Sequence, residues 1–421
     1  MIKQIYRQRY GKITLSVMVV ILLYFCGAGY SAVHNWHTNQ KWLHSDDFRE
    51  EYRKYPSEYY TYDGEGNAIT HYYDLATYIE EQSYFWKSYD TSEGPSYRTI
   101  DELREQMKPA NFDPKLETYS SYQETLGQVV IGLIALCGFL LFFVDQKTAF
   151  NRFLFSLPVS RKKLFMNKLI QVGLPILGSF LVGSILNVVI LHLGVPQPYL
   201  NASWGQLLAS VGTSFSTCLL GFSVSVFVGT MVGNIVFGPL AYLLLLASGT
   251  QLPYVLFNLM DTLNILLRGK SANYSNSYFR IFTWDIGKNS GYWQAALVML
   301  LVSGALLFWA YRKYQVLSLE NDGDFLLYPE SRWPVWFLLT GYTFIILLFS
   351  FGNAWHTYLY AHRIDSSYWS YPLREVIISM IIQLLIAITL STLLLFFGGI
   401  RKFLHEKWHA HLEKKALKGG G

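Results

Sequence analysis

Charged residues are scarce in this sequence. Asp, Glu, Lys and Arg make up 15% of its 421 residues, against roughly 25% in an average soluble domain. Only three cysteines occur, Cys26, Cys137 and Cys218, and all lie in apolar runs, which excludes a disulfide framework. Hydrophobic residues account for 52% of the chain. This composition predicts a polytopic membrane protein and leaves nucleic-acid binding without support.

Motifs of enzymatic chemistry are also missing. The chain has no Gly-x4-Gly-Lys-Ser/Thr phosphate loop, so we do not expect it to hydrolyse ATP itself. It has neither a Gly-x-Ser-x-Gly elbow nor a His-Glu-x-x-His pair. The sequence therefore offers no catalytic motif for a hydrolase or a protease. Two groups of histidines are better explained as interfacial residues than as metal ligands: His34, His37 and His44, and His405, His409 and His411. We therefore expect no catalytic residue and no metal site.

Long apolar runs predict about eight transmembrane helices, since a helix needs about 20 residues to cross a bilayer. The predicted spans are 13–30, 126–144, 169–193, 207–228, 235–250, 294–311, 335–351 and 375–398. A tight turn at 229–234 separates the fourth span from the fifth. No Asp, Glu, Lys or Arg lies near the middle of a span, which argues against a proton-coupled antiporter or an ion channel.

Short basic segments set the predicted orientation. The N-terminal residues, the loop at 145–168 and the tail after residue 398 are rich in Lys and Arg, so both termini should be cytoplasmic. We divide the chain as follows: 1–30, basic segment and first span; 31–124, extracellular domain; 125–193, second and third spans with the loop 145–168; 194–250, fourth and fifth spans; 251–293, extracellular amphipathic segment; 294–332, sixth span and cytoplasmic connector; 333–398, seventh and eighth spans; 399–421, basic cytoplasmic tail.

The one large polar domain, residues 31–124, contains eighteen Asp and Glu against nine Lys and Arg and many tyrosines. Residues 74–86 and 99–108 are predicted to be helical, with a turn at 90–96. Because aliphatic residues are few, we expect its aromatic residues to pack against the membrane surface or a partner. The domain is either a solvated acidic cap or a gate or docking surface for an exported cationic amphiphile.

Two further segments have informative patterns. Residues 252–269 are amphipathic, which predicts a helix that lies on the outer leaflet or partly re-enters it. In the fourth span, small residues recur every fourth position, which permits close helix packing. This ridge either packs within the chain or lines a subunit interface or substrate path. Its central members are Thr213, Thr217, Gly221, Ser225, Gly229 and Gly233.

The loop at 145–168 is the most specific feature of the sequence. It has six Lys and Arg against one acid, Asp145. Phe150, Phe153, Leu154 and Leu157 recur at the spacing of one helical face. Pro158 should end that helix, and Ser160 can cap the next one. The short helix either lies in the lipid interface or docks into a partner protein.

The residues FNRFLFSLPVSRKKLFMNKL of this loop resemble the first cytoplasmic loop of ABC-2 type permeases, the membrane subunits of ATP-driven exporters. In that family the loop is the coupling helix that docks on the ATPase subunit. The resemblance implies seven docking residues: Phe150, Arg152, Phe153, Leu154, Leu157, Pro158 and Arg161. It covers roughly the first 315 residues, and the last two spans depart from the six that are usual in the family.

The apolar runs and basic segments predict an all-α polytopic membrane protein with about eight transmembrane helices and a ~95-residue extracellular domain between the first two, and the resemblance implies that it is a permease. Its expected partners are an ABC ATPase subunit, a second permease (homologue or self) and membrane lipid. This chain itself should hold no cofactor, since ATP and Mg belong to the partner ATPase. The expected cargo is an amphiphilic peptide, antimicrobial or lipid-like envelope compound. The alternative is a non-transporting sensor or immunity protein that binds an antimicrobial through its ectodomain.

Overall fold

The computed structural model describes residues 2–55, 75–89, 100–108, 117–119, 122, 127–148, 150–249, 251–271, 293–317, 325–350 and 353–419. The helices of the first half are α1 (Ile2–Leu43), α2 (Asp46–Lys54), α3 (Leu75–Ser83), α4 (Ile100–Gln106), α5 (Gly127–Lys147), α6 (Phe150–Ser156) and α7 (Arg161–Lys168). A π-helical turn, Leu169–Gly173, joins α7 to α8 (Leu174–Gly194).

The later helices are α9 (Trp204–Met231), α10 (Phe237–Gly249), α11 (Leu252–Arg268), α12 (Trp293–Gln315), α13 (Arg332–Ser350), α14 (Ala354–Arg363) and α15 (Leu373–Gly419). Two three-residue strands, β1 (Lys87–Tyr89) and β2 (Glu117–Tyr119), pair antiparallel, with Lys87 opposite Tyr119. Apart from this small sheet, the described elements are helical, which confirms the predicted fold class.

Among the residues that the structure describes, seven helical segments are long and apolar enough to cross a membrane, and there are eight if α10 and α11 count as one broken span, bent by 58°. The fifth predicted span, 235–250, corresponds to α10, whose 13 residues rise only about 20 Å. A hydrocarbon core is about 30 Å thick. Helix α10 is therefore too short to form the straight span that the sequence predicts, and with α11 it forms either a broken span or a re-entrant pair.

The described chain forms two compact units, one comprising Met1–Leu136, Met166–Ser223 and Tyr274–Ala305, and the other Cys137–Phe165, Val224–Asn273 and Leu306–Gly421. In the first unit, α1 packs along α8 at glycines. A Cβ added to Gly183 would lie 2.6 Å from the Phe25 ring, and one added to Gly194 would lie 2.5 Å from Val33. The Asn187 side chain also donates to the Phe25 carbonyl at 3.0 Å. Close backbone approach of this kind is how helices associate in lipid.

The polar domain of the first unit is built on an extension of α1, which continues past the predicted membrane boundary to Leu43. The Trp36 indole donates to the Ser83 carbonyl at 2.8 Å, and the Asn39 amide donates to the Tyr122 hydroxyl at 2.7 Å. Burial raises the pKa of Tyr122 to about 12, so this phenol keeps its proton at physiological pH. Helices α3 and α4 confirm the two helices predicted in this domain, whereas the predicted turn at 90–96 lies outside the described residues.

A second contact ties the polar domain to the segment between α8 and α9. The Asn201 side chain accepts from the Trp86 amide at 3.0 Å and donates to the Trp86 carbonyl at 2.8 Å. The Phe85 amide donates to the Tyr199 carbonyl at 2.9 Å. Phe85 and Trp86 are fully buried. The aromatic residues expected to face the membrane or a partner are thus, at these positions, packed inside the unit.

Candidate functional site

The loop predicted to couple the chain to a partner contains two short helices separated by a break. Helix α6 ends at Ser156, and α7 begins at Arg161. At the start of α7, the Lys163 amide donates to the Ser160 hydroxyl at 3.4 Å. The break at Pro158 and the cap at Ser160 are therefore confirmed.

Neighbouring residues of α6 differ sharply in exposure. Phe153 is 48% exposed, whereas Leu154 is fully buried. Arg152 and Pro158 are exposed, and Phe150 and Leu157 are partly buried. Since a fully buried side chain cannot meet a partner, Leu154 belongs to the packing of its own unit and not to a docking face. The accessible part of the predicted face is centred on Phe153.

Arg161, also predicted to dock, is an anchor within the chain. Its Nη1 donates to the Gln315 carbonyl at 2.8 Å and to the Leu317 carbonyl at 3.0 Å. Its guanidinium carbon lies 4.5 Å from the centre of the Phe155 ring. The first carbonyl ends α12 and the second follows it, so a cation there satisfies acceptors that the helix leaves open. Arg161 thereby fixes the loop to the end of α12.

Aromatic packing strengthens this connection. Tyr314, in the last turn of α12, is buried and lies 5.8 Å from the ring of Phe155, 5.6 Å from Phe165 and 5.8 Å from Phe142, centre to centre. Phe142 belongs to α5 and Phe155 to α6. The end of α12 therefore contacts aromatic residues of both α5 and α6.

The described part of the connector that follows α12, residues 325–331, contacts both the end of α12 and the segment after α9. The Tyr328 hydroxyl donates to the Lys313 carbonyl at 2.7 Å, and burial raises the pKa of Tyr328. The Gly233 amide donates to the Phe325 carbonyl at 2.9 Å, and the Leu327 amide donates to the Met231 carbonyl at 3.0 Å. The turn predicted at 229–234 is thus bridged to the connector, and both are joined to the loop through the end of α12.

We expect Arg161→Gln to lower the free energy of unfolding by about 1.5 to 3 kcal/mol, because it removes two charge-assisted hydrogen bonds. The fall should appear in the thermal unfolding of the purified protein. Lys162→Gln is the matched control, since it removes the same charge from the exposed neighbouring residue. Equal losses in the two variants would show that the loop's charge, and not the contact with α12, stabilises the protein.

The small-residue ridge of α9 is largely buried. In the first unit, the Thr217 hydroxyl lies 3.6 Å from the Met299 sulfur, and a Cβ on Gly221 would lie 3.6 Å from Ile131. Thr213 is also buried. Where the structure describes its contacts, the ridge therefore packs against helices of the same chain.

In the second unit the ridge allows still closer approach. The Ser225 hydroxyl is 2.8 Å from the hydroxyl of Tyr242. A Cβ on Gly229 would lie 2.6 Å from the carbonyl oxygen of Phe139. Gly229 also accepts at its carbonyl from the Gln146 side chain at 3.2 Å. Gly233, the last ridge residue, lies in the turn that pairs with the connector.

Sequence reasoning missed the connector as part of this site. Its buried run Leu326, Leu327 and Tyr328 lies in the segment 294–332, whose last part the sequence predicts only to be a cytoplasmic connector. An aromatic residue next to apolar residues in an otherwise polar loop is a weak signal of such packing. Within the described ranges, no group of three or more His, Cys, Asp or Glu residues could hold a metal ion.

The chain matches a known family over part of its length. Residues 119–286 match the family described as ABC-2 family transporter protein. The matched segment contains the loop at 145–168 and the helices from α5 to α11, and it covers less than half of the chain. No curated protein and no solved structure matches the chain.

Proposed function

The match at residues 119–286 identifies the chain as an ABC-2 type permease, and on that premise we propose that it is the membrane subunit of an ABC exporter whose ATP is hydrolysed by a separate chain. The observation that carries the proposal is the exposed Phe153 on a short, basic helix, within the matched segment. An aromatic side chain 48% exposed beside exposed cations suits a partner groove that is apolar at its base and acidic at its rim.

We assign the docking role to Arg152, Phe153 and Pro158, which are exposed, with Phe150 and Leu157 partly accessible at their edges. Leu154 and Arg161 contact other parts of the chain and hold this surface in position. Movement of the docked helix would reach α12 through Arg161 and Phe155, and the 229–234 turn through the connector. ATP and Mg²⁺ would bind in the partner ATPase.

The same family match leads to proposals for the location, the assembly and the cargo of the protein. We propose a bacterial plasma membrane location with both termini in the cytoplasm, since the basic segments lie on that side by the positive-inside rule. The proposed assembly contains two permeases, either two copies or this chain with a homologue. The proposed cargo is an amphiphile such as a peptide, an antimicrobial or a lipid-like compound, and the polar domain would lie outside.

Co-purification from native membranes in mild detergent tests the docking surface. We expect an ATPase subunit, recognised by mass spectrometry from its Gly-x4-Gly-Lys-Ser/Thr loop, to accompany the wild type. Phe153→Asp should reduce its recovery at least tenfold, because it places an unpaired charge in the interface. Tyr55→Asp is the control, since Tyr55 is 43% exposed and lies in the polar domain.

Recovery of the ATPase with both variants would move the docking surface away from α6. Absence of any ATPase from the wild-type preparation would contradict the exporter proposal itself. In that case the sensor alternative, in which the polar domain binds an antimicrobial, would become the leading hypothesis.

A further inference from the structure

The helices after residue 331 lie beyond the family match, which ends at residue 286. They are α13, α14 and α15, and they share the second unit with α10 and α11. Their contacts with the bent pair α10–α11 indicate what these additional helices do.

Helix α11 has its polar and apolar faces reversed relative to a helix on a soluble protein. Asn258, Asp261 and Thr262 are buried, whereas Met260 and Leu267 are exposed. In water this arrangement would expose apolar surface and bury polar groups, both at a cost. In lipid, by contrast, exposure of the apolar face is favourable. The helix is therefore embedded in the bilayer rather than lying on its surface, and its polar residues need partners inside the protein.

For Asp261 that partner comes from α14. His356 Nε2 lies 2.6 Å from the Asp261 carboxylate, with side-chain exposures of 18% and 4%. The Ser271 hydroxyl donates to the other oxygen of the same carboxylate at 3.0 Å. The sequence predicts residues 251–293 to lie outside the membrane, so Asp261 does not count there as an acid within a span. Asp261 is such an acid if α11 completes the broken span.

The same helix also closes the end of α11. Arg363 Nη1 donates to the Ile265 carbonyl at 3.2 Å and to the Leu266 carbonyl at 2.7 Å. Gly269 ends α11 in the left-handed conformation, at φ 63°. Carbonyls in the last turn of a helix lack intrahelical partners, so a cation from α14 both satisfies them and fixes the direction of α11.

Helix α13 holds the other end of the bent pair. Val255, near the start of α11, packs in a buried cluster with Ile346 and Phe349. The Ser248 hydroxyl of α10 is 2.7 Å from the Tyr342 hydroxyl of α13. The contacts thus extend from the end of α10 to the end of α11, across the bend.

We infer that α13 and α14, against which α15 packs, form a brace that fixes the second half of the bent span, with Asp261, His356 and Arg363 as its positioning residues. The inference goes beyond the proposed function, because it concerns the part of the chain outside the family match and holds whether or not an ATPase docks. The brace keeps α11 in one orientation, so α11 and the C-terminal helices move together.

Distances between spin labels at Leu267→Cys and Ile377→Cys test the brace. Both positions are exposed, and the full-length chain is studied in lipid nanodiscs without any partner, after the three native cysteines are replaced by alanine. We expect a single narrow distance distribution. His356→Ala should broaden it at least twofold, because it removes the imidazole that contacts the buried Asp261 carboxylate at 2.6 Å. His362→Ala, an exposed position on the same helix, should leave it unchanged.

Arg363→Gln provides a second variant that keeps the Asp261–His356 pair, and it too should broaden the distribution. A broad distribution in the unmodified pair, or one unchanged by both His356→Ala and Arg363→Gln, would overturn the inference. Because no ATPase is present, this result is independent of the docking experiment.

Discussion

We expect Leu154→Asp to abolish accumulation of the folded protein and Phe153→Asp to leave the fold intact. Leu154 is fully buried and Phe153 is 48% exposed, although the two residues are adjacent and both apolar. An unpaired carboxylate at a buried position costs about 3 to 5 kcal/mol, a large part of the stability of most proteins. The measurement is the monodisperse yield of each variant after detergent extraction, with thermal unfolding of what is recovered.

Leu154→Met is the matched control, because it conserves volume and apolarity and should cost less than about 1.5 kcal/mol. Equal yields of Leu154→Asp and Phe153→Asp would contradict the assignment of the two residues to opposite sides of α6. The result matters for function, because only a fold-preserving variant can report on docking.

Gly229→Ala has the second largest expected effect. A Cβ at this position would lie 2.6 Å from the Phe139 carbonyl oxygen, and a backbone atom cannot rotate away as a flexible side chain can. Forcing α5 and α9 apart should lower the free energy of unfolding by about 1 to 3 kcal/mol. Thermal unfolding of the purified variant measures the loss.

Gly212→Ala is the control on the same helix, since no atom lies within 4 Å of its added Cβ. There the change should be neutral or stabilising, because alanine favours a helix over glycine by up to about 1 kcal/mol. If both variants changed stability in the same direction and by the same amount, helix propensity and not close packing would explain the effect.

Local chemistry determined the features that the sequence predicted well. Proline disfavours a helical conformation at the preceding residue, so the break at Pro158 could be predicted from the local sequence. The spans followed from hydropathy because lipid forces backbone groups into helices. The close approach at Gly229 followed from the spacing of small residues along α9.

Tertiary packing determined what the sequence could not show. Which of Phe153 and Leu154 faces inward depends on the elements that pack against α6, and both residues fit either side by hydropathy. Arg161 carried the same ambiguity between a docking cation and an internal cap. The Asp261–His356 pair joins residues 95 positions apart, and nothing in the local pattern of either helix links them.

Photo-crosslinking from position 153 tests the central claim, that α6 docks on an ATPase, most directly. A benzophenone amino acid replaces Phe153 in one variant and Phe155 in another, and native membranes are irradiated before extraction. Phe155 is the control because its ring lies beneath the Arg161 guanidinium and against Tyr314. We predict an adduct between position 153 and an ATPase subunit, and none from position 155. Adducts of position 153 with lipid alone would contradict docking and show that α6 lies in the membrane interface.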